Sequence, residues 1–223
     1  MMPFHGGIEA SPNATFILSL AAAAYYLFFT EREPSLQRSV IKTLAVTLLA
    51  VLSVLRGGPL LLTAALAFSA LGDAFLSRPG ERMFLAGLAS FLVGHALYIS
   101  LFAASSGGLP VHDLVRVVLA ILMALGALAM MAVLWPLVSP RLRVPILVYA
   151  AAIFVMGLSA LTMNSVLIVA GATLFMISDG ILATERFVVS AISPHRSWMQ
   201  PAVWITYYAA QLLITLGFVL PAM

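Results

Sequence analysis

The sequence predicts an all-α protein, a bundle of eight transmembrane helices with both termini outside, on the periplasmic side. Three observations carry this reading. The 223-residue chain is 63% hydrophobic and only 9% charged, whereas a soluble domain carries about 25% charged residues. Its mean hydropathy of +1.11 is spread along the whole chain, so no segment is polar enough for an extramembrane domain and residues 1–223 read as one integral membrane domain. Apolar runs and basic residues also alternate, and this alternation sets the orientation.

The runs fall at 14–30, 39–56, 59–77, 82–104, 113–136, 143–161, 164–187 and 200–221. A helix crosses the hydrocarbon core with about 17 to 25 residues, so each run is long enough. Turn-forming segments divide them: "EREPSLQR", "RGGP", "SRPGER", "SSGGLPVHD", "SPRLR" and "SPHRSW". The sixth and seventh runs nearly merge at "ALTMNSVL", where Asn164 and its neighbours mark the turn.

Basic residues orient the bundle. Alternate connections hold Arg32, Arg38 and Lys42, then Arg78 and Arg82, then Arg141 and Arg143, then Arg186 and Arg196. The opposite side holds only Arg56 and Arg116, and the terminal segments hold none. The positive-inside rule makes the first set cytoplasmic, and the alternation requires an even number of spans. Basic residues placed singly or in pairs between apolar runs fit membrane topology; no nucleic-acid partner is expected despite a pI of 9.6. The N-terminal "MMPFHGGIEASPN" has no basic n-region, which argues against a cleaved signal peptide. With the short connections, it points to a bacterial inner membrane.

Two acidic residues interrupt this apolar background: Asp73 in "ALAFSALGDAFLSR" and Asp179 in "ATLFMISDGILATER". Ionisable side chains inside a span are costly and usually functional. Asp73 precedes Ser77 by four residues and Asp179 precedes Arg186 by seven, which places them about 6 and 10 Å below the cytoplasmic surface at about 1.5 Å per residue. His95, Tyr98, Tyr207, Tyr208 and Gln211 fall at mid-depth or slightly above it in helices four and eight. His95 and Tyr98 share a helix face, as do Tyr207 or Tyr208 with Gln211. The third, fourth, seventh and eighth helices thus supply polar groups to one buried pocket open toward the cytoplasm. Each group also has a structural role available to it, as an interhelical hydrogen bond or, for Lys42, a cation snorkelling to the interface.

Cysteine is absent, and the four histidines, at 5, 95, 112 and 195, are not spaced as a metal set. No GxSxG, HExxH or P-loop occurs. No metal or cofactor is expected. A pair of carboxylates in a low dielectric suits acid–base chemistry, one holding a proton while the other stays ionised. It equally suits proton-coupled transport. A transporter should carry an internal repeat, and Phe68, Asp73 and Leu76 echo Phe175, Asp179 and Leu182, though the Phe-to-Asp spacings differ by one. A retinal-type Schiff base is disfavoured because Lys42 lies in the second helix, near an interface.

The segments "FSALGDAFL" (68–76), "FLAGLASFLVGHALYISLF" (84–102), "GATLFMISDGILATERF" (171–187) and "YYAAQLLI" (207–214) resemble, in order and spacing, the YhhN-like family of membrane proteins. The resemblance covers about 60 to 220; the first two helices match only in kind. Characterised members of that family are lysoplasmalogenases. The resemblance therefore implies hydrolysis of the vinyl ether of a lysophospholipid, alkenyl-glycerophosphocholine or -ethanolamine, giving a fatty aldehyde and the glycerophospho head group. Protonating a vinyl ether at its β-carbon makes an oxocarbenium ion that water traps, so the reaction calls for a proton donor, an anionic partner and a base. Asp73 and Asp179 are the expected catalytic residues, with the acid and the base not distinguished. His95, Tyr98, Tyr207, Tyr208 and Gln211 would orient them or the substrate, and Lys42, Arg78, Arg82 and Arg186 would meet the phosphate. The expected partners are the lysophospholipid and membrane lipid. The same aspartates in a lipid-binding or proton-coupled transport protein form the alternative.

Overall fold

A computed structural model of the chain describes residues 2–30, 32–106, 108, 113–190 and 192–220, and among them every regular element is helical. The first helix, α1 (Ser11–Tyr26), begins with a proline in its first turn and tightens into a 3₁₀ turn at Leu27–Phe29. Then come α2 (Leu36–Leu55), α3 (Leu60–Leu76), α4 (Glu81–Ala104), α5 (Leu114–Leu137), α6 (Pro140–Ala160), α7 (Val166–Phe187) and α8 (Arg196–Val219).

Several helices start before the apolar run that marks them, because polar residues build the first turn. Ser35 caps α2 by accepting a hydrogen bond from the Arg38 amide at 3.1 Å, whereas α5 starts one residue inside its run, because Asp113 caps it by accepting from the Val115 amide at 3.0 Å. Pro140 opens α6 three residues ahead of its apolar run, where its missing N–H leaves no helical bond unmade. The run expected to end α8 at 221 finishes outside the described residues. Among the described residues seven helices are long and apolar enough to cross a membrane; the remaining one, α3, has 17 residues, or about 26 Å of helix at 1.5 Å per residue.

Six helices close a ring in the order α2, α3, α4, α6, α7, α8, with α8 returning to α2. Outside it, α1 packs on α2 and α5 packs on α6 and α7. Three buried hydrogen bonds hold α1 in place: Ser19 Oγ donates to the Ala45 carbonyl (2.7 Å), pairs with Tyr208 Oη (2.7 Å), and Trp204 Nε1 donates to the Ala23 carbonyl (2.9 Å). Such side-chain bonds matter between helices in lipid because the hydrophobic effect does not drive their association there.

The most extensive helix pairs, α7 with α8 and α3 with α4, depend on glycine at the contact. A Cβ on Gly171 would stand 2.9 Å from the Ala210 carbonyl oxygen and 2.7 Å from Ile214 Cγ1. The first of these neighbours is backbone and cannot swing away. Gly171→Ala is therefore expected to push α7 off α8 and lower stability by about 1–3 kcal/mol, the usual cost of overpacking. A falling melting temperature in detergent is the expected reading; an unchanged one would show that the helices part without cost.

Candidate active site

Asp73 lies on the inner face of α3, one turn before the helix ends, and is 1% exposed. Its Oδ2 accepts a hydrogen bond from Tyr207 Oη of α8 at 2.7 Å. Lys42 Nζ of α2 lies 3.0 Å from Oδ1, at ion-pair distance but outside hydrogen-bonding angles. The Lys42 side chain is itself only 16% exposed and stands 5.9 Å from the centre of the Trp204 ring. A lysine expected at the interface is thus turned inward onto a carboxylate, and three helices meet at this pair.

Asp179 of α7 is half-buried, and its Oδ2 accepts from Tyr149 Oη of α6 at 2.5 Å. Among the described residues no cation pairs with it. The two centres occupy related places in the two halves of the chain. Tyr149 precedes Asp179 by 30 residues, and Lys42 precedes Asp73 by 31, each from the preceding helix.

Both carboxylates line one cavity of ≈ 740 Å³. At the end of the bundle where the first, third and seventh connections lie, its walls include Arg38, Arg78, Arg186 and Glu185. Arg186 extends over the Phe84 ring, 4.9 Å from its centre, and Arg38 donates through Nε to Tyr26 Oη at 3.3 Å. Away from this end the walls are apolar, with methionines and leucines of α5 facing α6 and α7. Positive mouth, acidic waist and apolar depth succeed one another in a single space.

The other residues singled out from the sequence divide into layers. Tyr207 is at the carboxylate. Behind it Tyr98 Oη donates to Gln211 Oε1 at 2.5 Å, both fully buried and off the cavity wall. His95 is 1% exposed, its ring packed edgewise on Phe175 (4.9 Å) and on Tyr149 (5.2 Å), and neither nitrogen has a hydrogen-bond partner among the described residues. It backs the tyrosine that holds Asp179. Tyr208 ties α8 to Ser19 of α1. Arg82 is exposed and outside the cavity wall, and His112 lies outside the described residues. Among the described residues no three histidine, aspartate or glutamate side chains gather as a metal-ligand set.

Sequence reasoning missed Tyr149, Trp204 and Glu185. A tyrosine or tryptophan in an apolar helix is an ordinary occurrence near a membrane interface, and nothing local marks the carboxylate 30 residues downstream that Tyr149 serves. Glu185 passes for a flanking charge beside Arg186. In the fold it is 7% exposed, and its Oε1 accepts from Arg196 Nη2 at 2.8 Å and Gln200 Nε2 at 3.0 Å, locking the end of α7 to the start of α8.

Fold and site together define an integral membrane protein in which two carboxylates, one buried and one half-buried, line a largely apolar cavity. The chain belongs to the YhhN family, which it matches over residues 37–218. It is 33% identical over 206 residues to human lysoplasmalogenase TMEM86B, covering 91% of this chain and 84% of that protein. It is 29% identical over 218 residues to bovine lysoplasmalogenase TMEM86A, with 89% and 85% covered. Lysoplasmalogenase of Mycobacterium tuberculosis is 30% identical over 162 residues, 70% of this chain and 59% of that protein. No solved structure matches the chain.

Proposed function

We propose that the protein is a lysoplasmalogenase, an ether hydrolase that cleaves the vinyl ether bond of alkenyl-glycerophosphocholine or alkenyl-glycerophosphoethanolamine inside the membrane. The relatives support the activity. A single observation carries the mechanism: two carboxylates with unlike partners face one cavity. Asp73, paired with Lys42 and bonded by Tyr207, is the group that starts the reaction as an anion. Asp179, bonded only by a neutral phenol, is the group that arrives carrying a proton.

Asp179 gives its proton to the β-carbon of the vinyl ether, and the double-bond electrons form the new C–H bond. Positive charge then spreads over the α-carbon and the ether oxygen, where the Asp73 carboxylate faces it. Water adds to the α-carbon and passes a proton to Asp73. The hemiacetal then collapses: Asp179 takes back the hydroxyl proton, the carbonyl forms, the C–O bond breaks and Asp73 returns its proton to the departing glycerol oxygen. Both carboxyls end as they began, and the sum is one vinyl ether and one water converted to one aldehyde and one alcohol. Tyr207 and Tyr149 position the carboxylates, and His95 and the Tyr98–Gln211 bond back them. Lys42, expected at the head group, is assigned here to Asp73, leaving phosphate to Arg78, Arg186 and Arg38, with Arg82 outside the wall.

In this reading all eight helices span the bilayer, with α3 reaching across at the short end of the usual range. The basic end of the cavity faces the cytoplasm, both termini are periplasmic, and the membrane is a bacterial inner membrane. The test is aldehyde release from alkenyl-lysophosphatidylethanolamine and alkenyl-lysophosphatidylcholine by purified protein in detergent. Release from either substrate is the expected result; folded protein that is silent on both would move the aspartates to lipid binding or proton-coupled transport.

A further inference from the structure

We propose that Gly126 sets the length of alkenyl chain the protein accepts, because it keeps open the apolar arm of the cavity that runs along α5 beyond the carboxylates. The inference rests on the hydrolase reading. It concerns the far side of the site from the head group, where no polar residue was singled out.

The α5 wall is one helix face, formed by Leu119, Leu122, Met123, Gly126, Ala127 and Met130, a spacing of three and four residues that keeps side chains on one side. The level of Asp179 on α5 is marked by Met130, whose Sδ receives Thr184 Oγ1 of α7 at 3.9 Å and whose Cε lies 3.6 Å from where a Cβ on Gly180 would stand. From Met130 the face continues toward the start of α5 at Leu119, through Gly126, which is exposed, and Leu122, which is 57% exposed. Eleven residues of helix are about 16 Å at 1.5 Å per residue, room for about a dozen carbons of an extended chain built from bonds of about 1.5 Å. Gly126 stands about 6 Å along that path, four residues in.

Every other residue of this face carries a side chain, and glycine is the poorest helix former after proline. Yet nothing lies within 4 Å of the position a Gly126 Cβ would take. Close helix packing, which explains Gly171, therefore does not explain Gly126. Open space on the wall of a cavity does. Around it Met123 and Met176 supply unbranched, adaptable side chains suited to a flexible hydrocarbon.

The test compares kcat/KM for aldehyde release across alkenyl-lysophosphatidylethanolamines of graded chain length, from about four carbons, too short to pass Gly126, to about eighteen, for the parent, Gly126→Leu and Leu119→Trp. Gly126→Leu is expected to lower kcat/KM on the longest chains by about 10- to 100-fold, at about fourfold per buried methylene displaced, while sparing the shortest. Leu119→Trp, at the end of the arm, is expected to penalise only the longest chains. With open space at Gly126, the Gly126→Leu protein should melt no lower than the parent. A length profile that both variants leave unchanged would overturn the inference, as would a uniform loss at every length in folded protein. A parent silent on every substrate would instead overturn the hydrolase reading, a result these variants cannot mimic.

Discussion

Asp179→Asn is expected to reduce aldehyde release by roughly 10²–10⁴-fold, the range that a positioned proton donor contributes. Asparagine has nearly the volume of aspartate, and its carbonyl can still accept from Tyr149, so the cavity wall stays as it is. The amide has no proton that it can give to carbon. Asp73→Asn is expected to fall as far for a different reason: the cation formed at the α-carbon would meet a neutral amide beside an unpaired Lys42. Gel filtration and melting in detergent separate chemistry from misfolding. Folded Asp179→Asn protein with parental activity would remove that residue from proton donation and leave the hydrolase itself standing.

The second large effect belongs to Lys42. Lys42→Met replaces the ammonium with an apolar chain of similar length and should cost both activity and stability. With the carboxylate 1% exposed and the lysine 16% exposed, each single variant leaves one charge stranded in a poorly hydrated site. Breaking a buried pair from one side typically costs about 3–5 kcal/mol. Combining Lys42→Met with Asp73→Asn removes both charges, so the double variant should melt above either single one, while aldehyde release stays lost in all three. A double variant whose destabilisation equals the sum of the singles would show that the two side chains do not interact.

Much of this site is visible in the sequence because lipid makes ionisable residues conspicuous. Asp73 and Asp179 stand out in runs with almost no other charge, and Ser77 and Arg186 toward the ends of those runs give their depth. Helix identity is equally legible, since an apolar run of this length has few ways to satisfy its backbone in lipid except as a helix. Helix starts are less so: Ser35 and Pro140 act through local capping geometry that hydropathy does not register. Pairing between helices is the least legible. Lys42 beside Asp73 and Tyr149 beside Asp179 are meetings between adjacent helices of the ring, fixed by which helices are neighbours and how each is rotated. A helical repeat of 3.6 residues relates side chains within one helix and says nothing of the next. From its own helix Lys42 is an interfacial cation; only the placement of α3 against α2 turns it into the counter-ion of a buried acid.

The cavity's two unlike ends also govern the fate of the products. With the basic mouth at one end and the methionine-lined arm at the other, the proposed cut falls at the junction between water-seeking and oil-seeking halves of the molecule. The glycerophospho fragment loses its only hydrocarbon anchor and departs into water, while the aldehyde stays dissolved in the bilayer. Fragments that partition into different phases rarely meet again, so the reverse reaction is starved of one partner at the site.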